Sequence, residues 1–343
     1  MLRSRSLTNP DSATLLAPER GAPRSGVQSS LASGDAAPPI KVIYIAGYGR
    51  SGSTLLDIAL GQSSAVLGAG EITALSRHVW DRGEYCACGR SVTHCQVWRN
   101  IVQTWRTDGV ANFPAVYRRA QLWRELLLSP TRLIDRLRGP ERVNHLHDTA
   151  KLFRRIAAVG GRPVIVDSSK LPGRGLMLAD VAGIELYVVH LVRDPRGVAW
   201  SLRKAYKPDA RRGVQRELRP KSVLYTSFRW STVNLMTEML CRKVGRGRSL
   251  RVKYEDFVAD PDATVRAILS MVHGSAVHEP VIDPAGVITP HHQMAGSRHR
   301  MQKTIAFRKD CGWHDQMPPS MQRQVSMLCG SLMRRYGYGE IPA

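Results

Sequence analysis

The chain has 343 residues, 43% of them hydrophobic and 23% charged, which supplies material for one large α/β core and argues against wholesale disorder. Its longest apolar runs, such as Ile184 to Val192, reach about half of the ~20 residues that cross a bilayer, so stable membrane insertion is not expected. Fifty basic against 28 acidic residues give a net charge of +22, and 40 of the 50 are arginine. The excess reads either as attraction to an anionic partner or as arginine-rich residue usage, and charge alone names no function.

Residues 1–38 are rich in Ser, Ala, Pro and Gly and lack both periodicity and an apolar leader. They read as a disordered tail ahead of a single domain over 39–343. Six cysteines are too few for a disulfide scaffold, which makes a reducing cytoplasm the default compartment. The continuously apolar run Lys41–Ala46 predicts a strand buried on both faces, followed by a glycine turn and a helix over 53–60. Further strands are expected at 163–167, 185–192 and 250–254, with helices near 114–138, 144–159, 174–182, 196–206, 222–244 and 262–273. This alternation predicts an α/β fold of the P-loop type: three layers, a central parallel sheet flanked by helices, and a helical insertion near 75–160 that contributes no clear strand.

The turn Gly47-Tyr-Gly-Arg50-Ser51-Gly52-Ser53-Thr54 is one residue away from the nucleotide-triphosphate loop: Ser53 stands where that motif has lysine, and the cation sits upstream as Arg50. Its glycines let backbone N–H groups curl round an anion at a helix N-terminus, whereas a grip on β- and γ-phosphates is disfavoured. Arg50 to Leu56 resembles the 5′-phosphosulfate loop of sulfotransferases that use 3′-phosphoadenosine 5′-phosphosulfate, in which arginine at this place is frequent among carbohydrate and tyrosylprotein members. The resemblance implies that Arg50, Ser51, Gly52, Ser53 and Thr54 hold the 5′-phosphate and sulfonate. The segment Leu191-Val-Arg193-Asp-Pro-Arg-Gly-Val-Ala-Trp-Ser201 looks like the family's 3′-phosphate segment, where an arginine and a serine eight residues later bind that group; Arg193 and Ser201 have this spacing. The alternative is a helix cap with a surface ion pair. The resemblance extends over 41–71, 163–204 and 249–340, taking in Tyr254-Glu-Asp-Phe257 and the stretch from Trp313 to Tyr338.

Sulfuryl transfer calls for a base, one or two cations and hydrogen-bond donors. Glu71, 21 residues after Arg50 in Gly70-Glu71, corresponds to a Gly-Glu pair whose glutamate is the proposed base in tyrosylprotein members; otherwise it favours the start of a helix through Trp80. No histidine follows the 163–167 strand, where many cytosolic members carry their base. Lys170 stands where family members carry a lysine that approaches the leaving oxygen, and Arg50 is the second catalytic cation. Arg298 and Arg300 lie in a tract resembling, less closely, a basic-glycine segment that reaches the 3′-phosphate. Asp167 and Ser168 carry no firm role.

The run 203–221, with eight basic and two acidic residues, reads as a lid for an anionic acceptor or as a solvated loop. Cys86, Cys88 and Cys95, with His94 beside them, lack the paired spacing of zinc knuckles and no distant fourth ligand is evident, so packing cysteines are expected ahead of the alternatives, a structural zinc or a redox disulfide, and no residue is assigned to a metal. His291-His292 and the pair His145 and His147 read as loop or helix surface. The expected activity is sulfonate transfer from that donor, as co-substrate and without a metal, to a hydroxyl of a carbohydrate, glycolipid or small natural product. Nucleic acid is not an expected partner. The alternatives are an atypical P-loop kinase or GTPase, for which Asp167 would supply the magnesium ligand, and a non-catalytic binder of polyanions.

Overall fold

The computed structural model describes residues 38–76, 83–106, 113–121, 139–205, 207–209, 211, 213–214, 217 and 219–339. The expected tail, the 122–138 part of the expected helix and parts of the basic run lie outside them. Five strands, β1 (Ile40–Ala46), β2 (Val66–Gly68), β3 (Val164–Lys170), β4 (Ile184–Val192) and β5 (Ser249–Lys253), form one sheet in the order β2-β3-β1-β4-β5, every pair parallel. The helices are α1 (Ser53–Leu60), α2 (Gln96–Arg106), α3 (Phe113–Gln121), α4 (Gly139–Gly160), α5 (Pro172–Leu178), α6 (Pro195–Leu202), α7 (Val223–Val244), α8 (Tyr254–Ala259), α9 (Pro261–His273), α10 (Trp313–Gln316) and α11 (Pro319–Arg335). A two-stranded antiparallel ladder pairs β6 (Val287–Ile288) with β7 (Ile305–Ala306). Among the described residues no helix is long and apolar enough to cross a membrane.

Alternation along β1 explains the layers. Successive side chains leave a strand on opposite faces. Val42, Tyr44 and Ala46 pack with Trp98 and Trp105 of α2 and Phe153 of α4, while Ile43 and Ile45 pack with Leu56 and Ile58 of α1 and Phe257 of α8. Both faces are therefore buried, as the unbroken apolar runs require. The chain leaves β1 toward β2 on one side and leaves β4 toward β5 on the other, so β1 and β4 flank the point where the winding reverses, the place where open parallel sheets bind ligands beyond their carboxyl ends. Ala46 lies opposite His190, which brings the turns after the two strands side by side.

Three differences from the sequence reading concern single elements. Strand β2 has three residues, too few for a periodic signal. Strand β3 runs on to Lys170, carrying Asp167, Ser168 and Ser169 into the buried sheet. Helix α2, whose apolar stripe of Trp98, Ile101, Val102 and Trp105 is buried, falls within the expected helical insertion, to which the sequence reading gives no separate helix here.

Asp167 is accommodated inside by Arg174 from α5. Their Nε–Oδ2 distance is 2.7 Å with both side chains fully buried, and Asp167 Oδ1 also accepts from the Ser169 N–H at 3.0 Å and from the Ser169 hydroxyl. Breaking one side of such a pair strands the other charge. Arg174→Ala is expected to lower stability by about 3–5 kcal/mol in urea unfolding; a loss below ~1 kcal/mol would mean that the pair does not carry that charge.

Candidate functional site

The turn after β1 is shaped by two left-handed residues, Arg50 (φ 70°) and Gly52 (φ 91°). Gly52 is required: a Cβ there would fall 2.5 Å from the Tyr254 ring. Helix α1 starts with no side-chain cap, so its first N–H groups point into the turn with only the loop before them. Ser51 is buried, and its Oγ has no hydrogen-bond partner. Thr54 Oγ1 accepts from the Ser297 N–H at 3.0 Å, tying the start of α1 to a distant segment.

The turn after β4 meets this loop directly. Arg50 Nε donates to Ser201 Oγ at 3.0 Å, and Arg193 Nη1 donates to the Arg50 carbonyl at 3.0 Å. Arg193 also bonds Asp310 Oδ2 at 2.8 Å and lies 4.5 Å above the Tyr254 ring. The helix-cap alternative describes its neighbours instead: Asp194 caps α6 through the Arg196 N–H and pairs with the Arg196 guanidinium at 2.7 Å, both buried and Arg196 stacked on Trp313. Trp230 Nε1 donates to the Arg193 carbonyl at 3.1 Å, Glu255 accepts from the Asp194 N–H at 3.2 Å, and Tyr338 donates to Glu255 at 2.8 Å. The tracts 254–257 and 313–338 thus brace the corner that carries Arg193.

Glu71 and Lys170 form an ion pair at 2.5 Å, each about a fifth to a quarter exposed. Glu71 precedes a short 3-10 turn, Ile72–Ala74, without capping it, so its carboxylate is turned to Lys170 rather than to a helix start. Lys170 adopts φ 72° at the end of β3. With Arg50 and Ala295 it is one of three non-glycine residues of positive φ among the described residues. Such strain concentrates at functional positions. Behind Glu71, Gly70 (φ 78°) lies so close to Met294 that any Cβ would strike its backbone, and the Glu71 N–H donates to the Met294 carbonyl at 2.8 Å. Asp57 of α1 accepts from the Gly70 N–H at 3.0 Å. Burial raises its carboxyl to about 7 against the hydrogen bonds from Ser168, Gly70 and Gln293, with Asp167 adding repulsion.

The expected residues divide accordingly. Arg50, Ser51, Gly52, Ser53, Thr54, Arg193 and Ser201 are brought to one corner, and Glu71 and Lys170 to each other. Gly296 links the two groups, since a Cβ there would meet both Thr54 Oγ1 and Glu71 Oε1. Arg300 is corrected: it is fully buried and engaged with Glu84 at 2.5 Å, with Nη1 on the Gly296 and Ser297 carbonyls, which makes it a brace. Arg298 is exposed and, with Arg50, depresses the His299 imidazole behind the larger effect of burial, so this segment borders the loop. Also corrected is the reading that the cysteines lack a fourth partner: His292 lies against Cys86 and Cys95. Sequence reasoning missed Asp57, Gln293 and Asp310. None belongs to a motif, and only packing reveals them. A cleft of about 530 Å³ lined by His190, Glu238, Arg251 and Arg335 contains none of the candidate residues.

The α/β fold thus places a glycine turn and an arginine–serine corner side by side where its winding reverses. Residues 185–274, from β4 through α9, match the model of the sulfotransferase family. That segment, which holds Arg193 and Ser201, is the part of the chain that is similar to the sulfotransferase family. Among solved structures, the sulfotransferase domain from the Synechococcus PCC 7002 olefin synthase aligns at 20% identity over 90% of this chain and 98% of its own, with a TM-score of 0.46. The sulfotransferase domain from the curacin biosynthetic pathway aligns at 16% over 89% and 99%, with a TM-score of 0.45. Sulfotransferase STF9 from Mycobacterium avium aligns at 10% over 88% and 78%, with a TM-score of 0.44. No curated protein matches the chain.

The Asp57 carboxyl gives this site a pH signature. Its folded value of about 7 lies above the ordinary 3.8, so between these values the folded chain holds a proton that the unfolded chain releases. Stability from this group therefore falls as pH rises through that window. The urea midpoint of the wild type is expected to drop between pH 5 and pH 8 by more than that of Asp57→Asn. Parallel profiles for the two proteins would contradict the assignment.

Proposed function

We propose that this protein transfers the sulfonate of 3′-phosphoadenosine 5′-phosphosulfate to an acceptor hydroxyl. The observation that carries the reading is the contact between the two turns: Arg50 Nε on Ser201 Oγ at 3.0 Å, across 151 residues, with Arg193 on the Arg50 carbonyl. The residues present fit such a donor. Ser51 Oγ is a buried hydroxyl without a partner beside an uncapped helix start, which suits a phosphate or sulfonate oxygen. Arg193 offers a planar fork and Ser201 a hydroxyl for a second phosphate.

When bound, the donor supplies an activated sulfonate whose bridging bond to the 5′-phosphate breaks as the acceptor oxygen bonds to sulfur, leaving adenosine 3′,5′-bisphosphate. Glu71 takes the acceptor proton. Lys170, already paired with Glu71, and Arg50 provide positive charge for the leaving oxygen, so that base and cation meet at one point. Asp310, with its carboxylate half-exposed on Arg193, is an exchangeable partner for that guanidinium. The acceptor is a hydroxyl of a carbohydrate, glycolipid or small natural product. The kinase alternative loses its magnesium ligand, because Asp167 is buried and engaged by Arg174 and Ser169. The polyanion-binding alternative loses part of its surface charge, since Arg174, Arg196 and Arg300 are buried in ion pairs.

Transfer kinetics with labelled donor and a panel of hydroxyl acceptors separate the roles. Arg193→Ala is expected to raise the donor KM by roughly 10- to 100-fold with a smaller change in kcat. Glu71→Gln is expected to lower kcat by about 100-fold or more while the donor KM stays within a few-fold. Full turnover in Glu71→Gln would remove it as the base, and absence of transfer to every acceptor class, with no donor binding, would defeat the proposed activity.

A further inference from the structure

The cluster of cysteines has no part in sulfonate transfer, yet its arrangement is organised. Cys86 and Cys88 sit on a tight turn: the Cys86 N–H donates to the Arg90 carbonyl at 2.9 Å, the Gly89 N–H returns to the Cys86 carbonyl at 3.0 Å, and Gly89 takes φ 84°. Tyr85 bridges Ser91 across the turn. Cys95 stands one residue before α2, its N–H bonded to the Ser91 carbonyl at 2.8 Å. From 206 residues after Cys86 comes His292, its carbonyl fixed by Trp98 Nε1 at 2.7 Å. His292 Nδ1 lies 3.7 Å from Cys86 Sγ and 3.4 Å from Cys95 Sγ, and the donor atoms of Cys86, Cys88, Cys95 and His292 all fall within 4.8 Å of one another. None of the three cysteines is in a disulfide.

We propose that Cys86, Cys88, Cys95 and His292 form a structural zinc site. Zinc bonds of about 2.3 Å to sulfur and 2.0 Å to nitrogen set ligand–ligand separations of about 3.5–3.8 Å in a tetrahedron, and the imidazole already stands near that range from two thiols. Three thiolates and one imidazole are the donor set that suits zinc among common divalent ions. Four protein ligands close the coordination sphere, so the metal holds structure and leaves the transfer chemistry to side chains. What it holds is specific. The Ala87 N–H bonds the Gln293 carbonyl at 3.0 Å, Cys86 bridges Met294, and Met294 in turn receives the Glu71 N–H at 2.8 Å. The Arg300–Glu84 ion pair crosses the same two segments. A metal here pins the segment that backs Gly70 and Glu71 to the turn at 85–91, closing a loop of about two hundred residues, where a cross-link restricts the unfolded chain most.

The test is metal content of the full chain purified without chelator or an affinity tag of histidines, by elemental mass spectrometry, together with the visible spectrum after loading with cobalt(II). The wild type is expected to carry about one zinc per chain, and the cobalt form to show ligand-field bands of a tetrahedral, thiolate-rich centre. The double variant Cys88→Ser/His292→Ala is expected to lose more than about nine-tenths of the metal, while Cys311→Ser, an exposed cysteine outside the cluster, keeps it. A wild-type chain that purifies without metal and takes up neither zinc nor cobalt overturns the site, whatever the variants do. Undiminished metal in the double variant overturns it equally.

Discussion

Everything at the candidate site depends on β1 and β4 being neighbours in one parallel sheet. Strand order places the glycine turn after β1 against the arginine turn after β4, although 151 residues separate Arg50 from Ser201. Neither turn makes a complete cradle. The loop offers uncapped helix amides, the Ser51 hydroxyl and one cation; the second turn offers a planar guanidinium and a hydroxyl. Joined through Arg50, they form a corner with positive charge from two directions and little room for a large side chain, as the fit of Gly52 beneath Tyr254 demonstrates.

The remainder of the molecule holds this corner still. Buried carboxylates anchor the segments around it: Asp57 takes the Gly70 N–H, Asp167 is neutralised by Arg174, and Asp194 caps α6 while pairing with Arg196. Each would be costly unpaired in the interior, so each fixes its partner's position. The Glu71–Lys170 pair is supported from the other side by Met294 and the segment through Ser297, which also binds Thr54. The hairpin carrying Cys86 and Cys88 meets that segment through the Ala87 N–H on the Gln293 carbonyl and the bridge from Cys86 to Met294.

The parallel sheet, its flanking helices and the two motif turns were legible in the sequence because each leaves a local mark. Lys41–Ala46 and Glu185–Val192 are unbroken apolar runs, and Gly47 to Thr54 and Arg193 to Ser201 are compact patterns with fixed spacing. Strand β2 was not legible, since three residues carry no periodicity. Arg300 misled for the opposite reason: an arginine beside glycine and serine has the pattern of an anion ligand, while Glu84, which engages it, lies 216 residues away. His292 reads as a surface feature on the same grounds, because spacing rules for metal sites look for paired ligands near in sequence. Long-range pairing of polar side chains inside a core is set by packing, and a single sequence does not display it.

The central claim is that the two turns form one site for a nucleotide with phosphate at both the 3′ and 5′ positions. Calorimetric titration without magnesium, at two salt concentrations, with adenosine 3′,5′-bisphosphate, ATP and adenosine 5′-phosphate addresses it directly. The account predicts a preference of about 10-fold or more for the bisphosphate that persists at the higher salt, because charge-assisted hydrogen bonds to Arg193 and Ser201 are made only by the 3′-phosphate. Equal, weak binding of all three that fades with salt would contradict it and leave only a basic surface.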